Sequence, residues 1–290
     1  MIPHCGKECV MQLSSMEGPG TACIQDLPSL IQLWSLCFHE TEADSAWFLS
    51  RRFVPEQTFV WRKDGNVCAV IYLIPVQAGA HRGGYLYAIG THPDLQGLGI
   101  FGKLHQYVKE QAVAAGLHFL CLIPAAPSLF SLYGRLGYET WYGRQQISLT
   151  DMPQTVTPVS IRDCSSEDFL MHMEHHAATA PLLFYMSAAD RQLVLQQFLH
   201  YEGFLKQCTV GHASFVLAGI QEDDILYLSQ CNCSLNRLLP VGAALARAYS
   251  CNKLYLPPVR LQSAAPYAMG LWLTQDSAGL PAQSLGLMYT

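Results

Sequence analysis

The glycine-rich segment 96–102 constrains the fold more than any other feature of this sequence. It holds three glycines within six residues, between the strand-like segment Gly84–Thr91 and a helical pattern that ends at Gly116. Backbone N–H groups at a helix start are unpaired and lie at the positive end of the helix dipole, so they suit a pyrophosphate. Glycine lets that backbone approach phosphate oxygens without a Cβ clash. The segment therefore predicts a phosphate-binding loop.

The same glycines also match the dinucleotide-binding pattern GxGxxG. That motif begins directly at a strand end and is followed by an acidic residue that closes the next strand. Here five residues separate Thr91 from Gly97, and the strand at 118–123 ends in Pro124-Ala125-Ala126 without a carboxylate. The preceding hairpin also makes the sheet antiparallel on that side, which disfavours a dinucleotide fold. A third interpretation is that these glycines form a tight turn without a ligand.

The order of predicted elements repeats along the chain. In the first half, Asp26-Leu27-Pro28 opens a helix and residues 63–66 (KDGN) predict a hairpin turn. In the second half, a helix at 166–178, a hairpin around residues 222–224 and a helix at 235–249 follow the same order. No glycine-rich loop precedes that last helix. We therefore expect two α/β domains, 1–150 and 159–290, with a linker at 151–158 that contains Pro153 and Pro158.

Composition limits the classes of function. The 290 residues carry a net charge of −5 and no basic run with interleaved aromatics, so no nucleic acid is expected. The longest apolar stretches are interrupted by Pro75 and Pro124 and are shorter than the ~20 residues of a membrane span, so no membrane association is expected. Eleven scattered cysteines, several in apolar segments, favour a reducing compartment. The sequence therefore predicts a cytoplasmic protein.

The loop resembles the pyrophosphate motif of the GNAT acetyltransferase superfamily, Arg/Gln-x-x-Gly-x-Gly/Ala. Gln96 and Gly99 fill its first and fourth places, while Phe101 stands where the family has glycine or alanine. By this resemblance the following residues contact acetyl-CoA: Gln96, Gly97, Leu98, Gly99, Ile100, Phe101 and Gly102.

In that family the strand before the loop splays from its neighbour and binds the pantetheine arm as an added strand. Ile89, Gly90 and Thr91 occupy those positions here. The resemblance spans about residues 26–149. It is closest to the two-domain branch that includes aminoglycoside-modifying enzymes of the enhanced-intracellular-survival type.

A second family signature, Phe-Tyr-x-(Lys/Arg)-x-Gly-(Phe/Tyr), is similar to the segment 130–138. The matching tyrosine, Tyr133, is by this resemblance the general acid that protonates the departing thiolate. A phenol with a pKa near ~10 is protonated at neutral pH, as this role requires. The alternative is a core tyrosine on an amphipathic helix. The family's asparagine seven residues upstream is Ala126 here, and Ser128 is the candidate to replace its hydrogen bond to the cofactor.

No general base is evident in the sequence. The third strand carries Tyr85 and Tyr87 but no carboxylate. In the resembling branch the carboxylate of the chain terminus serves as base, which makes Thr290 a candidate catalytic residue. The alternative is an ordinary edge strand whose end reaches solvent.

Metal-binding patterns are weak in this chain. His172 and His176 share one helix face, but HExxH is absent. The pairs Cys231-x-Cys233 and Cys5…Cys9 have no second half-site. No metal is expected.

Taken together, the residues and the resemblance predict a mixed α/β fold. It consists of a mostly antiparallel GNAT-type sheet flanked by helices, followed by a degenerate GNAT-like domain. The resemblance implies transfer of an acetyl group from acetyl-CoA, as co-substrate, to an amine of a small molecule or peptide. The competing hypothesis is a non-catalytic acyl-CoA-binding or regulatory module. The identity of the acceptor and a homo-oligomeric state are both left open.

Overall fold

The computed structural model describes residues 17–151, 158–179, 184–260 and 264–274. The chain divides into two compact units. The first contains the described residues up to Pro75 together with Arg82–Leu122, and the second contains Val76–His81 and the described residues from Ile123 onward. Thr290 and most of the predicted linker lie outside the described residues, so both stay predictions.

A five-stranded arrangement flanked by helices forms the first unit. Its sheet order is β1-β2-β3-β4-β5, with β1–β2 and β2–β3 antiparallel and β4–β5 parallel. The last residues of β3 and the first residue of β4 belong to the second unit. In chain order the elements are β1 Gly18–Thr21, α1 Leu27–Phe38, α2 Glu42–Arg52, β2 Thr58–Lys63, β3 Asn66–Ala78, β4 His81–Thr91, α3 Ile100–Ala114 and β5 Phe119–Leu122.

Local sequence explains the predicted hairpin between β2 and β3. Asp64 and Gly65 have φ values of 51° and 76°, and Lys63 pairs with Asn66. Two successive positive φ values define a type I′ turn, whose twist matches that of the flanking strands. The prediction from Asp-Gly is confirmed.

A buried ion pair fixes the start of α1 against β2. Asp26 is the N-cap residue of α1, but its carboxylate makes no capping bond and instead accepts from Arg62, at 2.5 Å from Nη2. Both residues are buried, and the backbone N–H of Cys23 donates to the same carboxylate at 2.7 Å. Burial pushes the pKa of Asp26 upward, but the hydrogen bonds from Arg62 and Cys23 outweigh it and lower the pKa below its ordinary value. The carboxylate therefore stays charged inside the fold.

The second unit contains a six-stranded sheet of order β7-β13-β12-β11-β10-β8. The pair β12–β13 is parallel and the other pairs are antiparallel. Outside this sheet, β6 pairs with β14, and β9 pairs with the end of β3. The elements are α4 Pro127–Arg135, β6 Glu139–Arg144, β7 Gln146–Ser148, β8 Val159–Asp163, α5 Ser166–Thr179, β9 Phe184–Met186, α6 Ala188–His200, β10 Phe204–Val210, β11 Ala213–Glu222, β12 Ile225–Cys231, α7 Leu235–Ala248, β13 Lys253–Tyr255 and β14 Ala265–Trp272.

The two units repeat one order of elements. The first runs β1, α1, α2, β2, β3, β4, α3, β5, and the second runs β8, α5, α6, β10, β11, β12, α7, β13 with β9 inserted before α6. In each, the strand before the last helix pairs in parallel with the strand after it. The fold class predicted from sequence, a GNAT-type α/β unit followed by a second GNAT-like unit, is confirmed. None of the helices in the described ranges is long and apolar enough to cross a membrane.

We expect Arg62→Met to destabilise the protein by about 3–5 kcal/mol, because it leaves the Asp26 carboxylate buried without its partner. Guanidinium unfolding at pH 7.5 measures the loss. Lys63→Met, on the next and exposed residue of β2, is the matched control and should stay near wild type. A value for Arg62→Met within about 1 kcal/mol of wild type would contradict the importance of the pair.

His105 predicts a second stability effect, one that depends on pH. The side chain is buried on α3, and desolvation together with the nearby Lys109 lowers its pKa from 6.5 to about 4. Because the unfolded chain binds the proton more tightly, stability is fully present above about pH 6.5 and is lost as the pH falls toward 4. Between pH 7.5 and 4.5 this residue should account for a loss of about 2–3 kcal/mol. Denaturant unfolding of His105→Gln at both pH values should show a correspondingly smaller loss, and an unchanged pH dependence would refute the assignment.

Candidate functional site

Strand β4 extends beyond the part of it that pairs with β5. Their parallel register covers Gly83↔Phe119, Gly84↔Leu120 and Tyr85↔Cys121, whereas β4 continues to Thr91. A Cβ on Gly83 would lie 2.2 Å from the Phe119 ring, so a larger residue would push the strands apart at their pairing point. β4 therefore continues six residues past its last register pair with β5, a strand that itself ends at Leu122.

One residue in the later part of β4 has an unusual backbone conformation. Ala88 has φ 46°, in the left-handed region, where a residue with a Cβ costs about 1–2 kcal/mol. Two residues later, Gly90 passes so close to α1 that a Cβ would lie 3.1 Å from Sγ of Cys37. The Cys37 thiol also donates to the carbonyl of Thr91, with 3.5 Å between Sγ and O. Helix α1 therefore holds the end of β4 in place on one face.

The chain then makes a short turn that is tied back to the strand. His92 N donates to Cys68 O at 2.8 Å, and Nδ1 of His92 accepts from the backbone N–H of Asp94 at 3.3 Å. The Gln96 carboxamide is used inside the loop, because Nε2 donates to the carbonyl of Thr91 at 3.2 Å. Gln96, predicted from the motif as a cofactor residue, is thus seen to close the loop onto the strand end.

The loop backbone is open above the start of α3. Gly97 and Gly99 have φ values of 78° and 76°, and nothing in the described part of the chain lies within 4 Å of the position that a Cβ would take on either residue. Gly99 is the N-cap of α3 and supplies no capping side chain, and the first turn contains no acidic residue. The first helical N–H bond is that of Lys103, which donates to Gly99 O at 3.2 Å. The N–H groups of the first turn have no intrahelical acceptor, as at any helix start.

The side chains of the loop differ in burial. Ile100 is buried, Phe101 and Gly102 are partly buried, and Leu98 is 62% exposed. On the helix face beneath, the His105 ring lies 5.8 Å from that of Phe101. Phe101, the departure from the family motif, therefore packs on the helix rather than covering the loop. The arrangement is a helix N-terminus with accessible backbone donors.

Tyr133 lies in the second unit, on the last turn of α4. The backbone N–H of Tyr138 donates to Tyr133 O at 3.1 Å, and Gly137 at φ 91° ends the helix in a Schellman motif. The side chain is 5% exposed, and its ring lies edge-on to that of Tyr138 with centroids 5.9 Å apart. Burial raises the pKa of Tyr133 to about 12. The phenol is therefore protonated throughout the neutral range.

The remaining predicted residues divide between the units. Ser128 is exposed in the first turn of α4, and its carbonyl accepts from the Ser131 hydroxyl at 2.9 Å. The structure brings one predicted set together in the first unit: Ile89, Gly90, Thr91 and the loop 96–102. Thr290 lies outside the described residues. The roles of the loop and of the end of β4 stay predictions. The same holds for Tyr133 and Ser128.

An aromatic cluster beside the end of β4 was not predicted as part of the site. Trp34 of α1 contacts Phe48 and Tyr87, with centroids 5.0 and 5.9 Å apart. Its indole N–H donates to the Glu40 carboxylate at 2.9 Å. The apolar periodicity of α1 indicated a core face, but only the fold places that face against β4. No group of three or more His, Cys, Asp or Glu in the described ranges could hold a metal ion.

Comparisons with known proteins agree with this geometry. Residues 21–141 match the family described as the acetyltransferase (GNAT) domain. A GCN5-related N-acetyltransferase from Anabaena variabilis has a TM-score of 0.64 at 16% identity, covering 88% of this chain and 72% of that one. Eis1 from Mycobacterium abscessus has a TM-score of 0.61 at 11% identity, covering 90% and 74%.

A third solved structure, a probable N-acyltransferase from Enterococcus faecalis, has a TM-score of 0.68 at 11% identity and covers 91% of this chain and 74% of that one. At these identities the likeness shows a shared fold. No relative was found among curated proteins. The family match at 21–141 covers strand β4 and the glycine loop, and over these residues the chain is similar to the acetyltransferase (GNAT) domain.

Proposed function

We propose that the protein is an N-acetyltransferase that moves an acetyl group from acetyl-CoA directly to a primary amine of a small molecule or peptide. The observation that carries the proposal is the open loop at Gly97–Gly99, with uncapped backbone donors at the start of α3. Hydrogen bonds from such donors and the positive end of the helix dipole would both stabilise a bound pyrophosphate. Lys103, exposed at the end of the first turn, adds positive charge on the same helix.

The last residues of β4 are the proposed binding edge for the pantetheine arm. Because β4 extends to Thr91 while its register with β5 ends at Tyr85, the arm would add along Ile89–Thr91 as an extra strand. A backbone N–H of the same segment would polarise the thioester carbonyl. Cys37 and Gln96 hold this segment through the Thr91 carbonyl, so they are positioning residues in this proposal.

Tyr133 is the proposed proton donor to the leaving thiolate. Its pKa of about 12 keeps the proton in place before reaction but also makes it a weak acid. A thiol has an ordinary pKa near about 8.5, so complete transfer from this phenol to a free thiolate would be uphill by roughly 3–4 pKa units. Tyr133 would therefore act chiefly through a hydrogen bond that strengthens as negative charge develops on sulfur.

The acceptor and the base complete the proposal. A primary amine must lose a proton to attack, and β4 offers tyrosines rather than a carboxylate. We keep the terminal carboxylate of Thr290 as the proposed base, acting through water or by orienting the ammonium group. Ser128 is proposed to replace the family's asparagine at the cofactor.

The second GNAT-like unit is proposed not to bind cofactor. The connection between β12 and α7 contains Asn232, Cys233 and Ser234 and no glycine, so its backbone lacks the freedom of the first loop. We keep the domain limits 1–150 and 159–290, joined by 151–158. The cysteines of the described ranges are free thiols, which supports a cytoplasmic location.

A non-catalytic acyl-CoA-binding module is the alternative function. The observation in its favour is that Tyr133 is buried against Tyr138, as a packing residue would be. Release of CoA thiol from acetyl-CoA in the presence of a panel of amines separates the two functions. Cofactor binding without amine-dependent thiol release from any class of amine would favour the module.

We expect Gly99→Glu to weaken CoA binding at least about tenfold, because it places a carboxylate among the proposed phosphate donors and strains a residue with positive φ. Isothermal titration with CoA measures the dissociation constant. The matched control is Gly211→Glu, at a residue with φ 61° and open space around its Cβ position in the turn after β10. It carries the same charge and similar strain, and it should bind CoA like wild type. Equal affinities for Gly99→Glu and wild type would refute the loop assignment.

We expect Tyr133→Phe to lower kcat about 10²-fold while leaving the dissociation constant of CoA nearly unchanged, since the hydroxyl acts on the leaving sulfur. Tyr138→Phe, which alters the ring partner, should cost much less. Steady-state rates with titrated CoA affinity distinguish the two. Because the pKa of Tyr133 is about 12, its deprotonation should not reduce wild-type turnover below about pH 10. Equal rates for Tyr133→Phe and wild type would assign the residue to packing.

A further inference from the structure

The connection between β12 and α7 carries chemistry that acetyl transfer does not use. By element order it stands where the glycine loop stands in the first unit, yet it reads Cys231-Asn232-Cys233-Ser234. Two thiols thus flank a single residue at the start of a 14-residue helix. Both cysteines are half-buried and pack against the hydrophobic core of the second unit.

Asn232 is fixed from two sides. The backbone N–H of Val216 donates to Oδ1 of Asn232 at 2.7 Å, and the backbone N–H of Asn232 donates to Val216 O at 3.3 Å. Cys231, immediately before it, is paired with Leu217 in the β11–β12 register. The residue between the thiols is therefore fixed to β11 through both its backbone and its side chain.

That placement directs the first thiol toward the second residue. Sγ of Cys231 donates to the carbonyl of Cys233 with 3.7 Å between the atoms. Cysteines two positions apart have Cα atoms at most about 7 Å apart, near the upper end of what a disulfide spans. Closing the bond thus needs rotation of two side chains and a small backbone adjustment, rather than movement of an element.

The surroundings favour a thiolate at this point. Ser234 is the N-cap of α7 but makes no side-chain capping bond, and the first turn holds Arg237 and no acidic residue. A hydrogen bond from the Cys233 thiol lowers the pKa of Cys231, and the same bond raises the pKa of Cys233. One member of the pair is thus prepared to attack and the other to follow.

We propose that Cys231 and Cys233 form a redox-active dithiol that closes to an intrachain disulfide when it meets a low-molecular-weight disulfide. The Cys231 thiolate attacks one sulfur of the reagent, breaks its S–S bond and releases one thiol. Cys233 then loses its proton and attacks the mixed disulfide at Cys231, which releases the second thiol and forms the Cys231–Cys233 bond. The protein loses two electrons and two protons, and the reagent gains both.

The fold supplies internal reference thiols. Cys68 and Cys121 are buried in the first unit, and burial raises the pKa of each. Cys208 is buried beside the pair, and burial raises its pKa to about 12. These three are expected to stay reduced under conditions that oxidise the half-buried pair.

The test uses the full-length protein equilibrated in glutathione buffers of graded ratio, quenched with acid, unfolded and alkylated. Peptide mass spectrometry should find one oxidised species, with the peptide that holds both cysteines lighter by about 2 Da and unalkylated. Cys68 and Cys121 should be alkylated in the same sample. This mapping needs no variant and so does not depend on the folding of one.

Two variants then assign the order of the steps. Cys233→Ser should trap glutathione on Cys231, whereas Cys231→Ser should react at least about tenfold more slowly. Cys251→Ser, at a buried thiol of the same unit, is the matched control and should close like wild type. The proposal is overturned if both cysteines of the oxidised wild-type protein remain alkylated separately, or if either is found joined to Cys208 or Cys164 instead.

Discussion

The close packing of β4 on its neighbours β5 and β3 at two glycines is the constraint on which the rest of the site depends. Gly83 and Gly84 let the Phe119 ring and the Leu73 side chain pack directly on the backbone, where a Cβ would come within 2.2 Å of either. Only three residue pairs join β4 to β5, so the six residues of β4 that follow Tyr85 are directed by other contacts. Those contacts include the packing of Cys37 of α1 against Gly90 and its hydrogen bond to the Thr91 carbonyl. Ala88, between Tyr85 and Gly90, has a positive φ value. An extended ligand arm needs a strand that is held in place, which is the role proposed for the end of β4.

Burial is used in opposite ways in different parts of this protein. At Asp26 it is offset by Arg62, so a charged carboxylate is kept inside the first unit and joins the start of α1 to β2. At His105 it is not offset, and the imidazole is held neutral beneath the loop. At Tyr133 it retains a proton that the proposed chemistry needs on a phenol. Desolvation disfavours the charged form at all three sites, and only at Asp26 do hydrogen bonds outweigh it.

The two units show how one order of elements can carry different chemistry in the same connection. Eight residues connect β4 to α3, and two of them are glycines with positive φ. This connection ends at the unpaired N–H groups of the helix start. The connection after β12 has three residues and no glycine, and it places half-buried thiols at Cys231 and Cys233. Both connections end at the start of a helix, where the helix dipole favours negative charge.

The sequence by itself determined the elements whose signals are local. Asp-Gly predicted the turn between β2 and β3, and Pro28 and Gly116 marked helix ends correctly within two residues. Helix α2, with its charged composition, and strands β10 and β14 gave no comparable signal. The glycine motif located the loop, but only the tertiary structure decided that the Gln96 carboxamide closes it, that Phe101 packs below it, and that Cys37 contacts the strand end. The reason is physical: φ preferences and hydrophobic periodicity act over a few residues, whereas the partner of a side chain depends on segments brought together across 54 positions of sequence, as for Cys37 and Thr91.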